Sequence, residues 1–356
     1  MMRQLELTLV PRPHPALFPS TRYQGSKRKL LPWIASHLRE LRFDTALDAM
    51  SGTAAVAYLL KQMGKQVVAN DRLFANAEIA RALIENPGER LCEEDIEKAM
   101  QPRPGVLYSR FIEETFAGIY FTDEENRWLD VVAQNLSRLR HPYRRALLRF
   151  ALFQSCLAKR PYNLFHRKNL DLRLREVKRG FGNKAAWDRP FPDHFRGFAR
   201  EANAAVFDNS RENRALCGDA LEAPGRFDLV YLDPPYLRRD GSGADYPGFY
   251  HFLEGICDYS RWSERLDRAS PHLRLKPEPD PWLNASQARP AFRRLIERFA
   301  ESILVVSFRS DGIPAEEEIA AMLRDAGKKV KVLRQAPRPY ALSRNRDSCE
   351  LLFVAK

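Results

Sequence analysis

The chain has 356 residues, enough for one large domain or two with a sizeable core, and 44% of them are hydrophobic. No apolar run approaches the roughly 20 residues of a membrane span, which argues against a bilayer-crossing protein. The net charge of +12 favours an anionic partner, nucleic acid or a membrane surface.

In chain order, "TRYQGSKRKLLPWIASHLREL" (21–41) reads as a turn followed by a basic amphipathic helix. "TALDAMSGTAAVAYLLKQMG" (45–64) reads as strand, tight turn and helix, with Gly64 as the helix stop. A second short strand, Gln66 to Ala69, ends in Asn70 and Asp71, which completes a parallel βαβ unit. From about 75 to 215 helical periodicity dominates. The α/β rhythm returns at 214–224 and in a strand at 227–232. "LRRDGSGADYPGFYHF" (237–252) is expected to be a Gly-rich loop long enough to act as a lid. A helix is expected at 286–302, a strand at 302–308 and a helix at 315–327. The last two apolar runs, 328–335 and 348–356, have no helix between them and are expected to pair antiparallel. The whole predicts an α/β fold whose sheet-bearing part, 1–75 and 214–356, is interrupted by a mostly helical insertion, 76–213.

Five cysteines (Cys92, Cys156, Cys217, Cys257 and Cys349) are odd in number and never spaced as CxxC. This predicts a reducing, cytoplasmic setting with neither a disulfide framework nor a zinc site. Seven scattered histidines without HExxH spacing argue against a catalytic metal. Prolines soon after the short apolar patch of residues 1–20, and no small-residue cleavage site, predict no signal peptide.

The positive charge is unevenly spread. Residues 141–200 carry 15 Lys/Arg against 4 Asp/Glu, while residues 76–130 carry 6 against 13. The basic block interleaves its charges with aromatics and glycines, "KRPYNLFHRKNL" and "VKRGFGNKAAWDRPFPDHF". Such a mixture suits phosphate neutralisation and base stacking. Arg167, Lys168, Lys178, Arg179, Asn183 and Lys184 are its candidate nucleic-acid contacts.

Two constellations carry chemistry. Asp48 after the first strand, Gly52 in the turn and Asp71 after the second strand form a nucleotide-type pocket, in which a terminal carboxylate accepts ribose hydroxyls. The GxGxxG fingerprint is absent, which leaves room for a nucleoside ligand lacking phosphate. Asp219, after Cys217 and Gly218, stands at another strand end, where a carboxylate can accept an adenine amino group. The second constellation is "LVYLDPPYLRR" (229–239). Four residues buried on both faces run into prolines that cannot extend a sheet. Asp233 and Tyr236 are thereby held on a stiff turn at a strand's carboxyl end. Arg309 and Ser310, after a later strand, are further candidates near such a pocket.

In this order, "RYQGSKRKLL" (22–31), "LDAMSGTAAVAYLL" (47–60), "ANDR" (69–72), "GDAL" (218–221) and "YLDPPY" (231–236) resemble the motifs of the DNA adenine methylase family, D12 class. The resemblance implies a Rossmann-like sheet dependent on S-adenosylmethionine (AdoMet), with an inserted target-recognition domain and no metal. Tyr23 and Lys27 would line the cofactor site, Asp48 and Gly52 would flank the methionine moiety, Asp71 would hold the ribose and Asp219 the adenine. Asp233 and the Pro234 carbonyl would accept from the target amino group. Pro235 would stiffen the turn, and Tyr236 would stack on a base flipped out of double-stranded DNA. Met50 and Ala54 replace the family's usual phenylalanine and final glycine; Ala54 puts a methyl where backbone approaches closely, which predicts weakened cofactor binding. A companion restriction endonuclease is also implied. Three alternatives stay open: an N4-cytosine methyltransferase, an RNA amino-methyltransferase, and a non-catalytic DNA-binding protein on a decayed methylase scaffold.

Overall fold

The computed structural model describes residues 15–176, 183–238, 241, 243–335 and 348–356. Nine strands occur in these residues: β1 (Thr45–Asp48), β2 (Gln66–Asp71), β3 (Arg214–Cys217), β4 (Leu229–Leu232), β5 (Leu237–Arg238), β6 (Ile303–Arg309), β7 (Gly312–Ile313), β8 (Val330–Arg334) and β9 (Glu350–Ala355). Seven form one sheet in the order β3-β2-β1-β4-β6-β9-β8, and β5 pairs antiparallel with β7 apart from it. The first five strands in that order run parallel. β9 runs antiparallel to both β6 and β8, as expected from the two C-terminal apolar runs.

β4 is buried along its whole length because both faces of the sheet are covered. Leu229 and Tyr231 point into one core with the helices Leu31–Leu38 and Ala55–Gln62; Val230 and Leu232 point into a second core with the helices Ala285–Arg298 and Glu316–Asp325. The first core continues into the predominantly helical stretch, through Phe116, Phe121, Phe150, Phe153 and Phe165. The crossover from β2 to β3 begins with the helix Phe74–Ala80, which rests on both strands.

Two expectations change. The segment read as a Gly-rich loop is helical from Tyr246 to Cys257. Asp245 caps that helix by accepting from the Gly248 N–H at 2.9 Å, and Pro247 sits in its first turn. Gly255 lets the Trp262 indole press onto the helix where any Cβ would collide.

The second change concerns charge. The basic and acidic blocks neutralise one another across the fold: Arg149 pairs with Glu78 at 2.7 Å, Lys159 and Arg173 with Glu125 at 2.9 and 2.7 Å, Arg196 with Glu97 at 2.6 Å, and Arg200 with Glu93 at 3.1 Å. Part of the basic block therefore joins helices together. Among the described residues no helix is long and apolar enough to cross a membrane.

Candidate active site

The strand order reverses between β1 and β4, and ligands of open α/β sheets bind outside the carboxyl ends at such a point. A cleft of about 1080 Å³, partly open to solvent, lies there. It is lined by every residue assigned above to cofactor or catalysis: Tyr23, Lys27, Asp48, Gly52, Asp71, Asp219, Asp233, Pro234, Pro235 and Tyr236.

Its floor is made by strand ends. Asp48 is buried, and its carboxylate accepts the Ala57 N–H at 2.9 Å. Burial pushes its acid up to about 8, against that hydrogen bond and helped by the charges of Asp233 and Asp71. Asp71 accepts from the main-chain N–H groups of Gly52 at 2.8 Å and Leu73 at 2.9 Å, and from the Asn76 amide at 3.1 Å. Burial still raises it to about 6. Gly52 adopts φ +52°, the left-handed region, with the Tyr23 ring above it. Asp219 is exposed at the rim and caps a short turn through the Leu221 N–H.

Ala54 also has a left-handed φ, +60°. The position thus favours glycine for its backbone angle, and the alanine methyl is enclosed in the core, away from the cleft lining. Met50 lines the cleft and packs against the second core.

At the far end Asp233 meets Lys27. The ammonium lies 2.9 Å from Asp233 Oδ1 and 3.0 Å from Glu350 Oε1, and it also donates to the Tyr236 hydroxyl. That hydroxyl donates to Asp233 Oδ1 at 2.6 Å, with Glu350 Oε1 at 3.1 Å as its other acceptor. Burial raises the Asp233 acid, Lys27 pulls it down, and Glu350 pushes it up again. Burial also weighs against charge on Lys27, but the two carboxylates outweigh it and raise its pKa. The Tyr236 ring stands edge-on to Phe308, with centroids 5.0 Å apart.

Sequence reasoning missed several residues here. Glu350 opens β9 and reaches Lys27 and Tyr236 because β9 is antiparallel, its register placing Glu350 opposite Arg309 at the carboxyl end of β6. Asn70 laces three strand-end loops, donating to the carbonyls of Ala49 at 3.0 Å and Gly218 at 3.1 Å. Tyr246 lines the cleft and stacks on Tyr23 at 5.6 Å; Tyr250 stacks on the same ring at 4.4 Å. Trp282 and Asp280 close one side of the cleft, where Arg72 holds their loop through the Pro279 carbonyl at 3.1 Å. The Asp245–Pro247 helix start was a legible signal for Tyr246; Glu350 had none.

Arg309 and Ser310 do not line the cleft. Arg309 is buried and bidentate to Asp311 at 2.8 and 2.9 Å. Of the DNA candidates, Arg167 and Lys168 are exposed, on a loop tied by the Phe165 N–H to the Phe249 carbonyl of the cleft-side helix at 2.9 Å. Asn183 and Lys184 have local partners: Asn183 caps the helix Lys184–Asp188, and Lys184 pairs with Asp188. Lys178 and Arg179 lie outside the described residues, as do residues 1–14. Among the described residues no group of three or more His, Cys, Asp or Glu side chains is placed to hold a metal.

Residues 23–308 match the family described as D12 class N6 adenine-specific DNA methyltransferase. Type II methyltransferase M2.HphI of Haemophilus parahaemolyticus is 30% identical over 352 residues, 95% of this chain and 98% of its own. Modification methylase StsI of Streptococcus sanguinis is 24% identical over 355 residues, and type II methyltransferase M.FokI of Planomicrobium okeanokoites is 24% identical over 356. Each match takes in 93% of this chain and 51% of the relative. The family match spans from the first cleft residue, Tyr23, past the Asp233–Tyr236 turn to Phe308 in β6, so the chain belongs to the D12 class of N6 adenine-specific DNA methyltransferases and is an adenine-methylating enzyme.

Proposed function

We propose that the cleft binds AdoMet against Asp48, Gly52, Asp71 and Asp219 and brings it to an adenine held by Asp233, the Pro234 carbonyl and Tyr236. The observation that carries this is one continuous cleft joining the acid-tipped strands β1 and β2 to the Asp233–Tyr236 turn. The lining fits the donor part by part. Asp71 stands where ribose hydroxyls meet a second-strand carboxylate, and Trp282 and Asp219 flank the space for an adenine ring. When bound, AdoMet supplies an electrophilic methyl on a sulfonium sulfur.

The protein's work is on the acceptor. An adenine amino nitrogen is a poor nucleophile because its lone pair is delocalised into the ring. Asp233 and the Pro234 carbonyl, fixed by the proline turn, draw its hydrogens out of plane and restore lone-pair density. So held, the nitrogen would accept the methyl that AdoMet supplies, with the S–C electron pair left on the donor, and would release one proton. Such catalysis consists of positioning and fixed electrostatics. Tyr236 offers a face to replace the stacking given up when the base leaves the duplex, roughly 1–3 kcal/mol.

We assign target recognition to segment 76–213, with Arg167 and Lys168 as phosphate contacts on double-stranded DNA. The same loop carries Tyr162, an exposed aromatic at φ +65°. The relatives' names support a restriction-modification setting with a companion endonuclease. Incubating plasmid with labelled AdoMet and mapping the modified bases tests the reading. Label is expected on adenine N6 within one short sequence; label on cytosine, or none, would defeat it.

A further inference from the structure

Lys27, Asp233, Glu350 and Tyr236 form one buried charge cluster in which a single ammonium faces two carboxylates. Lys27 and Glu350 are almost wholly excluded from solvent, their side chains 7% and 2% exposed. Burying a second carboxylate is costly unless it acts on its surroundings. Building on the methyl-transfer reading above, we infer that Glu350 is a positioning residue that shares the Lys27 ammonium and so leaves the Asp233 carboxylate less tightly held and available to the substrate amino group.

The charges make the case. With Asp233 alone beside Lys27, the pair would be neutral and the ammonium would hold the carboxylate that the adenine amino group needs. Among the described residues, Glu350 sets two carboxylates against one ammonium, an excess of negative charge. During transfer positive charge moves from sulfur to the amino nitrogen beside Asp233, and a fixed negative charge stabilises that arrangement. Glu350 also relieves Asp233 of its second donor. The Tyr236 hydroxyl has one proton and two acceptors within reach, Asp233 Oδ1 at 2.6 Å and Glu350 Oε1 at 3.1 Å. Moving that proton's hydrogen bond to Glu350 takes one of these two donors off Oδ1, leaving Lys27 beside it. Ser307, on the adjacent strand β6, donates to Glu350 and holds its carboxylate in place.

Glu350→Gln tests this, because the amide oxygen still accepts from Ser307 and Tyr236 while the charge is removed. Expected are a kcat lower by roughly tenfold or more and binding of AdoMet and DNA within about twofold of wild type by calorimetry and anisotropy. The acidic limb of the pH–kcat profile should move to lower pH, since the like charge that raises the Asp233 acid is gone. The groups facing Asp233 are Lys27, Tyr236, Glu350, Tyr231, Asp48 and Tyr246, of which only Glu350 changes. Lys27→Met added to Glu350→Gln should cost less than the product of the two single losses. A wild-type kcat with an unmoved limb, or an AdoMet affinity that falls in step with kcat, overturns the inference. Should Glu350→Gln not fold, Glu350→Asp decides: its carboxylate sits one methylene farther from the cluster, so the limb shifts partway, and an unmoved limb counts against the inference. Absence of adenine methylation by the wild-type chain is a separate outcome, which defeats the reading of the site itself.

Discussion

Lys27 reaches 2.9 Å from Asp233 Oδ1, although 206 residues of sequence separate them. The contact joins the basic N-terminal turn to the end of β4 and closes the cleft at its catalytic end. It also means that Asp233 is held by an ion pair before any substrate arrives.

Replacing Asp233 should therefore act on chemistry more than on binding. Asp233→Ala is expected to lower kcat by roughly 10²–10³-fold, the scale of removing one fixed electrostatic interaction with a transition state. AdoMet affinity should stay within about threefold, because Asp48 and Asp71 stand at other strands. Steady-state methylation assays paired with calorimetry separate the two; near-normal turnover would sink the assignment.

Arg167 and Lys168 are exposed, with no carboxylate partner among the described residues. Arg167→Ala with Lys168→Ala should weaken DNA binding about equally for cognate and unrelated sequences. The slope of log K against log salt should flatten by about 1–2, roughly one unit for each phosphate that is no longer neutralised. An unchanged slope measured by anisotropy would remove these residues from the interface.

Asp48 predicts a pH dependence of stability. Its folded pKa is about 8, far above the 3.8 of an ordinary aspartate, because its carboxyl is buried. Between these values the unfolded chain ionises while the folded protein keeps the proton, so stability falls as pH rises from about 4 to about 8. Asp71 and Glu254, raised by burial to about 6 and about 7, contribute in the same sense. Asp48→Asn removes one of these titrations and keeps an acceptor for the Ala57 N–H. Its urea-unfolding free energy should decline less from pH 5 to pH 8 than that of wild type, by at least about 1 kcal/mol. Parallel declines would show that Asp48 is ionised in the folded protein.

Gly52→Ala should destabilise the protein by about 1 kcal/mol, the cost of a side chain at left-handed φ. A Cβ there would meet the Tyr23 ring at 3.5 Å, ordinary contact, so backbone strain rather than collision sets the size. Thermal unfolding checks this, and a loss above about 3 kcal/mol would show that the loop cannot keep its shape.

The strand ends were legible in the sequence because their signals are local. Apolar Leu229–Leu232 followed by two prolines stops a strand at Asp233, and Asp48 and Asp71 each follow a short apolar run. Those acids had to gather at one edge once the strands ran parallel. The helix Tyr246–Cys257 was hidden because Gly241, Gly243 and Gly248 suggested a loop; tertiary contacts decide otherwise, the Trp262 indole packing at Gly255 where a Cβ would collide. The ion pairs between the charge blocks were hidden for a similar reason. Arg149 and Glu78 are 71 residues apart, and sequence composition carries no record of which faces pack together.

The sequence by itself determined the sheet's chemistry: which residues end strands, that their acids suit a nucleoside, and that a stiff proline turn presents Asp233 and Tyr236. The tertiary structure alone decided that Glu350 joins them, since only the antiparallel insertion of β9 between β6 and β8 turns the start of a C-terminal strand toward the carboxyl edge. Electrostatic coupling depends on distance in space, and that distance is set by strand order and register rather than by position along the chain.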